Sequence, residues 1–465
     1  MEKKMVRPFG VRDQLGFWFG DMAGSFVNLY FDGFFLMFCT YILQIDPAFM
    51  ASMFLAARLF DAVNDPIIGS FPDRWKLGKS GDKFKPYIKI AMWPLAISGI
   101  LGFIDVSSFS NAFKHVWVVF TYILYGMSYT GTSMPFGSMA SVVTDKAEER
   151  TKLSRARAFG GIAVGYGYLS LVPAFIWDEE NNPVAGGYLM FGIISAILCI
   201  VCYNILFRFT PERIHTEQKK EKFRYGEVLK GAARNRALIG IMFASVGSLI
   251  FITGNSQFGG FMYREYYNAP RALQMATLGC IPLSFLLFPV VPKLSVRFGK
   301  RNFLLGALFF NLLISGFLFL VPVANVNLYI LLYIISNIGQ TTFTMLVWAF
   351  VTDAIDYNEY RTGQRNDGSL YSIYTFSRKI GSTVASVGVS GILAAIGFVS
   401  TAATQTPEVV ANIRLLGTGV PLLAVVLEII GMGLIWNLTK ADSERIQAQL
   451  QTKNRDKEKR DSETN

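Results

Sequence analysis

Apolar runs of about twenty residues recur along this chain, separated by short polar connections. A lipid interior gives backbone amides and carbonyls no partner, so single runs of this length are satisfied there only as helices. Spans are expected at about 15–44, 47–71, 87–106, 115–144, 158–177, 187–209, 237–263, 271–295, 302–322, 327–355, 369–399 and 411–438, twelve in all. Hydrophobic residues make up 52% of the 465 positions and Phe alone 40 of them, which leaves no soluble domain of useful size. The expected fold is all-α and integral to a membrane.

A net charge of +11 raises the question of nucleic acid, and its distribution answers it. Lys and Arg crowd alternate connections: the N-terminus, 72–86, 145–157, 211–236, 296–301, 356–368 and the tail after Thr439. The opposite connections are poor in them; 178–186 reads Asp-Glu-Glu-Asn-Asn-Pro-Val-Ala-Gly. By the positive-inside rule both termini and the central loop are cytoplasmic, so the basic excess reports topology in the cell membrane rather than a nucleic-acid partner. Lys3, Lys4, Arg7 and Arg12 lead into a full-length span without a small-residue cleavage site, unlike a cleaved signal peptide. Cys39, Cys199, Cys202 and Cys280 all lie in apolar runs, and His115 and His215 lie far apart, so neither a disulfide framework nor a metal cluster is suggested.

Two internal echoes divide the chain. The connection after the second span, Asp73 to Lys79, and the one after the eighth, Lys293 to Arg301, are both tight, basic and glycine-containing. The fourth span ends Val143-Thr144-Asp145, with Glu149-Arg150 following; the tenth ends Val351-Thr352-Asp353, with Glu359-Tyr360-Arg361 following. The expected plan is a six-helix bundle over 1–210, a cytoplasmic linker over 211–236, a second bundle over 237–438 and a charged tail over 439–465, with the site between the halves.

The second span carries the chemistry. Arg58, Asp61 and Asp65 follow at i, i+3 and i+7, which puts them on one helical face about a turn apart. Ionisable groups at membrane depth cost roughly 2.5 to 3.5 kcal/mol each even on the lenient insertion scale, so they must face a protein-lined interior and mark an ion or substrate path. This helix reads as a cation site. The bland alternative is that Arg58 merely neutralises Asp61 and pins helices together.

These residues belong to a larger set. RLFDAVNDPIIGSFPDRW with GDKFKPYI, YGMSYTGTSMPFGSMA in the fourth span, DAIDYNEYRTGQR from Asp353 to Arg365, and LYSIYTFSRKIGS from Leu370 to Ser382 resemble the glycoside-pentoside-hexuronide:cation symporters. That family of sugar carriers within the major facilitator superfamily includes melibiose permease; MPFGSMAS, TFSRKIG and QTPEV are most similar to its glucuronide carrier branch. The resemblance implies twelve transmembrane helices in two six-helix bundles, and a cation site at Asp61, Asn64, Asp65 and Thr130. Oxygen ligands of this kind suit Na⁺ or Li⁺, and burial with mutual repulsion offers H⁺ as the rival. No other cofactor is implied.

At the positions where the resemblance places a pair of sugar-clamping aspartates, this chain has Ser25 and Ser133, and Gly137 stands where a stacking tryptophan is expected. The basic positions remain at Arg157 and at Lys379, preceded by Arg378. Carboxylates lost and cations kept favour an anionic sugar, unless Lys379 serves the charge balance of Asp61 and Asp65. Tyr129, Asn255, Trp348 and Thr375 offer stacking and hydroxyl-matching groups to the same cavity, or else pack helices. Asp21 matches a Gly-Asp pair common in the family; Asp32 has no functional account. Arg58 balances charge, while Asp73, Arg74, Asp145, Arg150, Asp353 and Arg361 are expected in cytoplasmic charge pairs that gate. The expected partners are a sugar or glycoside, a monovalent cation and membrane lipid, with the monomer as the working unit. A non-transporting membrane sugar sensor or scaffold is the alternative function; an enzyme is disfavoured because no nucleophile, base and orienter set is visible.

Overall fold

A computed structural model describes residues 7–452 except 70, 76, 78–80, 145, 214–233, 363–366, 403, 447 and 451. Helices dominate, and the one β pairing among the described residues is an antiparallel bridge between Trp177 and Pro183. In chain order the helices are α1 (Val11–Tyr41), α2 (Pro47–Gly69), α3 (Phe71–Arg74), α4 (Lys85–Leu101), α5 (Asn111–Val143), α6 (Ala147–Ile162), α7 (Pro173–Ile176) and α8 (Ala185–Phe209). After the linker come α9 (Arg236–Glu265), α10 (Ala272–Phe298), α11 (Lys300–Leu320), α12 (Val326–Thr362), α13 (Asp367–Ala395) and α14 (Pro407–Ile429). Among the described residues, eight helices are long and apolar enough to cross a membrane, including α1, α8, α9, α10, α11 and α12. The α2 helix is not among them, because Arg58, Asp61 and Asp65 lower its hydropathy; α4 is 17 residues long.

The chain packs as two units. The first comprises Met1–Lys219 with Gly260–Leu278 and Ser386–Ala411; the second comprises Lys220–Gly259, Gly279–Ala385 and Asn412–Asn465.

Aromatic rings fill the first unit. Phe31 stacks face to face on Tyr125 with ring centroids 4.1 Å apart and planes 1° apart, and Phe103 sits 4.3 Å from Tyr30. These contacts fix α1 against α5 and against the end of α4, the geometry on which the charged groups below depend. At the Tyr41 end of α1, the Arg264 guanidinium lies 4.0 Å from the Tyr41 ring centroid and 5.3 Å from that of Trp177. Arg264 also pairs with Glu265 at 3.3 Å, and Tyr41 donates to Glu265 at 3.0 Å. Cation–π contact and a satisfied carboxylate hold the end of α9 in this unit.

The other end of the unit is clasped by residues that follow α8. Arg213 donates to both oxygens of the fully buried Asp13, at 3.0 and 3.1 Å, and to the carbonyls of Arg7 and Val143. Glu212, 3% exposed, accepts from the backbone N–H groups of Lys83, Phe84 and Lys85 at 2.6, 3.0 and 2.9 Å. These are donors that the first turn of α4 leaves unpaired, and a carboxylate there also meets the positive end of the helix dipole. Removing it by Glu212→Ala is expected to cost about 2 to 3 kcal/mol through orphaned donors. A fall of several degrees in the thermal midpoint in detergent would record this, with a smaller fall for Glu212→Gln, which keeps an acceptor oxygen.

The second unit has a mixed aliphatic and aromatic core around Leu304, Leu308, Phe343, Phe350, Val291 and Trp436, all 2% exposed or less. Its helices approach closely where side chains are absent: a Cβ on Gly240 or Gly431 would lie within 3 Å of the facing backbone.

Candidate functional site

The charged face of α2 meets α5 in parallel register. Gly126 on α5 stands against Asp61, where an added Cβ would lie 3.3 Å from Asp61 Oδ1. One turn further along both helices, the Thr130 hydroxyl donates to Asp65 Oδ1 at 2.7 Å, with both residues buried. Asn64, next to Asp65, is half-buried, and its Nδ2 has no hydrogen-bond partner. The first unit therefore brings together Asp65 and Thr130 directly and places Asp61 one turn away on the same face. Two carboxylates, an amide and a hydroxyl are oxygen donors of the hard type that fits an alkali cation. Sequence reasoning misses Gly126, which gives Asp61 its room; only the facing helix reveals it.

Arg58 stands one turn before Asp61. Its Nη1 lies 3.7 Å from Asp61 Oδ2 and its Nη2 lies 3.8 Å from Asp32 Oδ1 on α1. Asn28 donates to the other Asp32 oxygen at 3.4 Å and accepts from the Tyr125 hydroxyl at 2.7 Å. Asp32 thus belongs to the same charged network as the α2 residues.

A second cluster joins α1, α5 and α6. Arg157 Nε lies 3.3 Å from Asp21 Oδ1, and its guanidinium sits 4.8 Å from the Phe136 ring centroid. Ser25 follows Asp21 by one turn on α1, on the same side of the helix. Gly160 and Gly161 make the approach possible: a Cβ at Gly160 would lie 2.6 Å from the Trp18 carbonyl oxygen. Tyr129 stacks on Tyr125 with centroids 6.2 Å apart. Ser133 is half-buried on the same helix, and a Cβ at Gly137 would meet nothing within 4 Å. Arg157 is accordingly balanced by Asp21, a carboxylate that the sequence alone does not connect to the expected sugar-contact positions.

Four candidates lie in the second unit. Trp348 on α12 is 40% exposed and meets Tyr374 edge-on at 5.7 Å, with the Arg378 guanidinium 5.8 Å from its centroid. Thr375 is half-buried and Lys379 exposed on α13, while Tyr374 reaches Ser245 at 3.0 Å. Asn255 is half-buried on α9, with its Nδ2 unpartnered.

Of the expected gating residues, Asp353 forms an ion pair with Lys300 across α12 and α11 and accepts from Ser443 at 3.4 Å. Arg150 donates to the Thr144 carbonyl at 2.9 Å, and Arg361 donates to the carbonyl of Arg234. Asp145 and the side chains of Asp73 and Arg74 lie outside the described residues.

Carboxylates and arginines face one another across half-buried helix surfaces of a fold with membrane-length apolar helices, as in a protein that carries an ion or solute. Residues 16–440 match the model of the MFS/sugar transport protein family, and the chain belongs to this family, in its glycoside-pentoside-hexuronide:cation symporter branch. Among relatives, the uncharacterized symporter YjmB of Bacillus subtilis (strain 168) is 30% identical, covering 95% of this chain and 96% of its own. The glucuronide carrier protein homolog of Escherichia coli (strain K12) is 28% identical over 96% of both chains. Among solved structures, the crystal structure of a D-xylose-proton symporter superposes with a TM-score of 0.60 at 15% identity, covering 92% of this chain and 97% of that one. The last supports the fold alone.

Proposed function

We propose that the chain is a secondary active transporter of the cell membrane that couples entry of a glycoside to entry of Na⁺, Li⁺ or H⁺ by alternating access. The observation that carries the reading is the Asp65–Thr130 hydrogen bond, with Asp61 and Asn64 on the same face of α2. The cation is held by Asp61, Asn64, Asp65 and Thr130, and Arg58 balances charge beside it. Sugar-contact roles fall to Ser25, Tyr129, Ser133, Arg157, Asn255, Trp348, Thr375 and Lys379. Asp73, Arg74, Asp145, Arg150, Asp353 and Arg361 gate on the cytoplasmic side.

In this reading twelve helices span the bilayer in two six-helix bundles, 1–210 and 237–438, with both termini inside and the monomer as the working unit. Eight of the twelve are long and apolar enough among the described residues; of the others, α2 carries charges that lower its hydropathy and α4 has 17 residues. A hexuronide or pentoside is the favoured cargo. The name of the Escherichia coli relative supports a glucuronide, and Arg157 and Lys379, kept where Ser25 and Ser133 replace two carboxylates, support an acidic sugar.

The energetics suffice. One positive charge falling through 100 mV yields about 2.3 kcal/mol, and a tenfold cation gradient adds about 1.4, enough to hold a sugar gradient of several hundredfold. Proteoliposomes given labelled glucuronide, xyloside and galactoside, with Na⁺, Li⁺ and H⁺ gradients imposed one at a time, test the reading. One cation is expected to drive concentrative uptake of one glycoside. Binding without uptake under every gradient would instead support a sensor.

A further inference from the structure

Asp32 is a third carboxylate in the α2 network, and nothing in the cation-site reading uses it. The Arg58 guanidinium spans two acids with separate nitrogens, Nη1 toward Asp61 and Nη2 toward Asp32, at nearly equal distances of 3.7 and 3.8 Å. Both are longer than a charge-assisted hydrogen bond, so the cation is shared rather than committed to either acid. Asp32 itself is oriented by Asn28, and Asn28 by Tyr125, which Phe31 holds by stacking. The acceptor on α1 is therefore held by partners on α1 and α5 in addition to Arg58.

This geometry matters because Arg58 and an alkali cation compete for the same carboxylate. Asp61 turns Oδ2 to Arg58 and Oδ1 to the α5 side, where Gly126 leaves space and Thr130 holds Asp65. With one acid in reach, the guanidinium fork closes bidentately on Asp61, the geometry arginine prefers. With a second acid on α1, half of its charge is balanced outside the ligand set.

We propose that Asp32 is a positioning residue that holds the Arg58 guanidinium back from Asp61 and so keeps it from competing with the coupling cation there. The proposal rests on the cation-site reading above. It assigns α1 a part in coupling that is separate from sugar contact.

The test uses full-length protein reconstituted in vesicles, with p-nitrophenyl glucuronide and p-nitrophenyl xyloside as probes and with Na⁺, Li⁺ and pH titrated in turn. Asp32→Asn is expected to raise the half-saturating Na⁺ or Li⁺ concentration about tenfold, or to shift the proton midpoint about one pH unit, with probe binding at saturating cation unchanged. Adding Arg58→Gln removes the competitor and is expected to bring half-saturation back to within about threefold of the parent. A merely structural Asp32 would gain nothing from that second change. Asp32→Glu, which keeps the charge, is expected to retain most of the parent behaviour. Unchanged cation dependence in Asp32→Asn, or a double variant weaker than the single one, overturns the proposal. Asp65→Asn in the same assay separates the two failures. If it leaves cation dependence intact, the cation site is misplaced and the proposal falls with it; if it abolishes dependence while Asp32→Asn does nothing, the role of Asp32 alone is wrong.

Discussion

Asp65→Asn is expected to abolish cation-stimulated uptake, and Asp61→Asn to do the same. Asp65 is 7% exposed and accepts from Thr130, so replacing one of its oxygens with an amide nitrogen removes charge from a place where water cannot restore it. Truncating one partner of a buried charge contact costs about 2 to 5 kcal/mol, a loss of more than about thirtyfold in cation affinity. Asp61→Asn acts in a second way: it leaves Arg58 with Asp32 as its nearest acid and adds net positive charge beside the site. Sugar exchange across the membrane with equal concentrations on both sides needs no gradient and is expected to persist in both variants. Concentrative uptake with parental cation dependence in either one would place the cation elsewhere.

How far such a site can be read from sequence is visible in its parts. The i, i+3, i+7 spacing of Arg58, Asp61 and Asp65 fixes their common face by helix geometry alone. The partners across helices follow no such rule. Thr130 is identified through resemblance rather than spacing, and Asp32, Gly126 and the Asp21–Arg157 pair become legible only when α1, α5 and α6 are packed. Helix positions are readable along continuous apolar runs: the expected span 115–144 is α5, Asn111–Val143. They are misjudged where a helix runs on into polar surroundings. The fifth span is expected from 158, yet α6 begins at Ala147, since Glu148, Glu149, Arg150 and Lys152 form a good helix that hydropathy does not register. The tenth, expected to end near 355, continues through Asp356, Glu359 and Arg361 to Thr362 for the same reason. Glu212 and Arg213 read in sequence as part of a basic linker, and their capping of α4 and pairing with Asp13 depend on contacts more than a hundred residues apart.

Under the proposed sugar contacts, the charge of the sugar is the property on which Ser25 and Ser133 bear most. An acidic glycoside is expected to compete better than its neutral analogue, and the double change Ser25→Asp and Ser133→Asp is expected to reverse that order. Ser25 stands one helical turn from Asp21, which already balances Arg157, so an aspartate at 25 sets a second carboxylate near the first. A uronate entering there would meet like charge from both, and each such contact costs on the order of a few kcal/mol in a desolvated site. A neutral pentoside loses less, because its hydroxyls can donate to the new acids. Asp21→Asn tests the same balance from the other side: it leaves the Arg157 charge uncompensated and is expected to favour glucuronide over xyloside by about tenfold. Competition by glucuronide, xyloside and galactoside against one fluorescent glycoside measures all three orders. Tight binding of neutral pentosides by the parent chain, with indifference to every acidic sugar, would sink the acidic reading. Arg157 would then be a structural partner of Asp21, and the carrier a pentoside symporter.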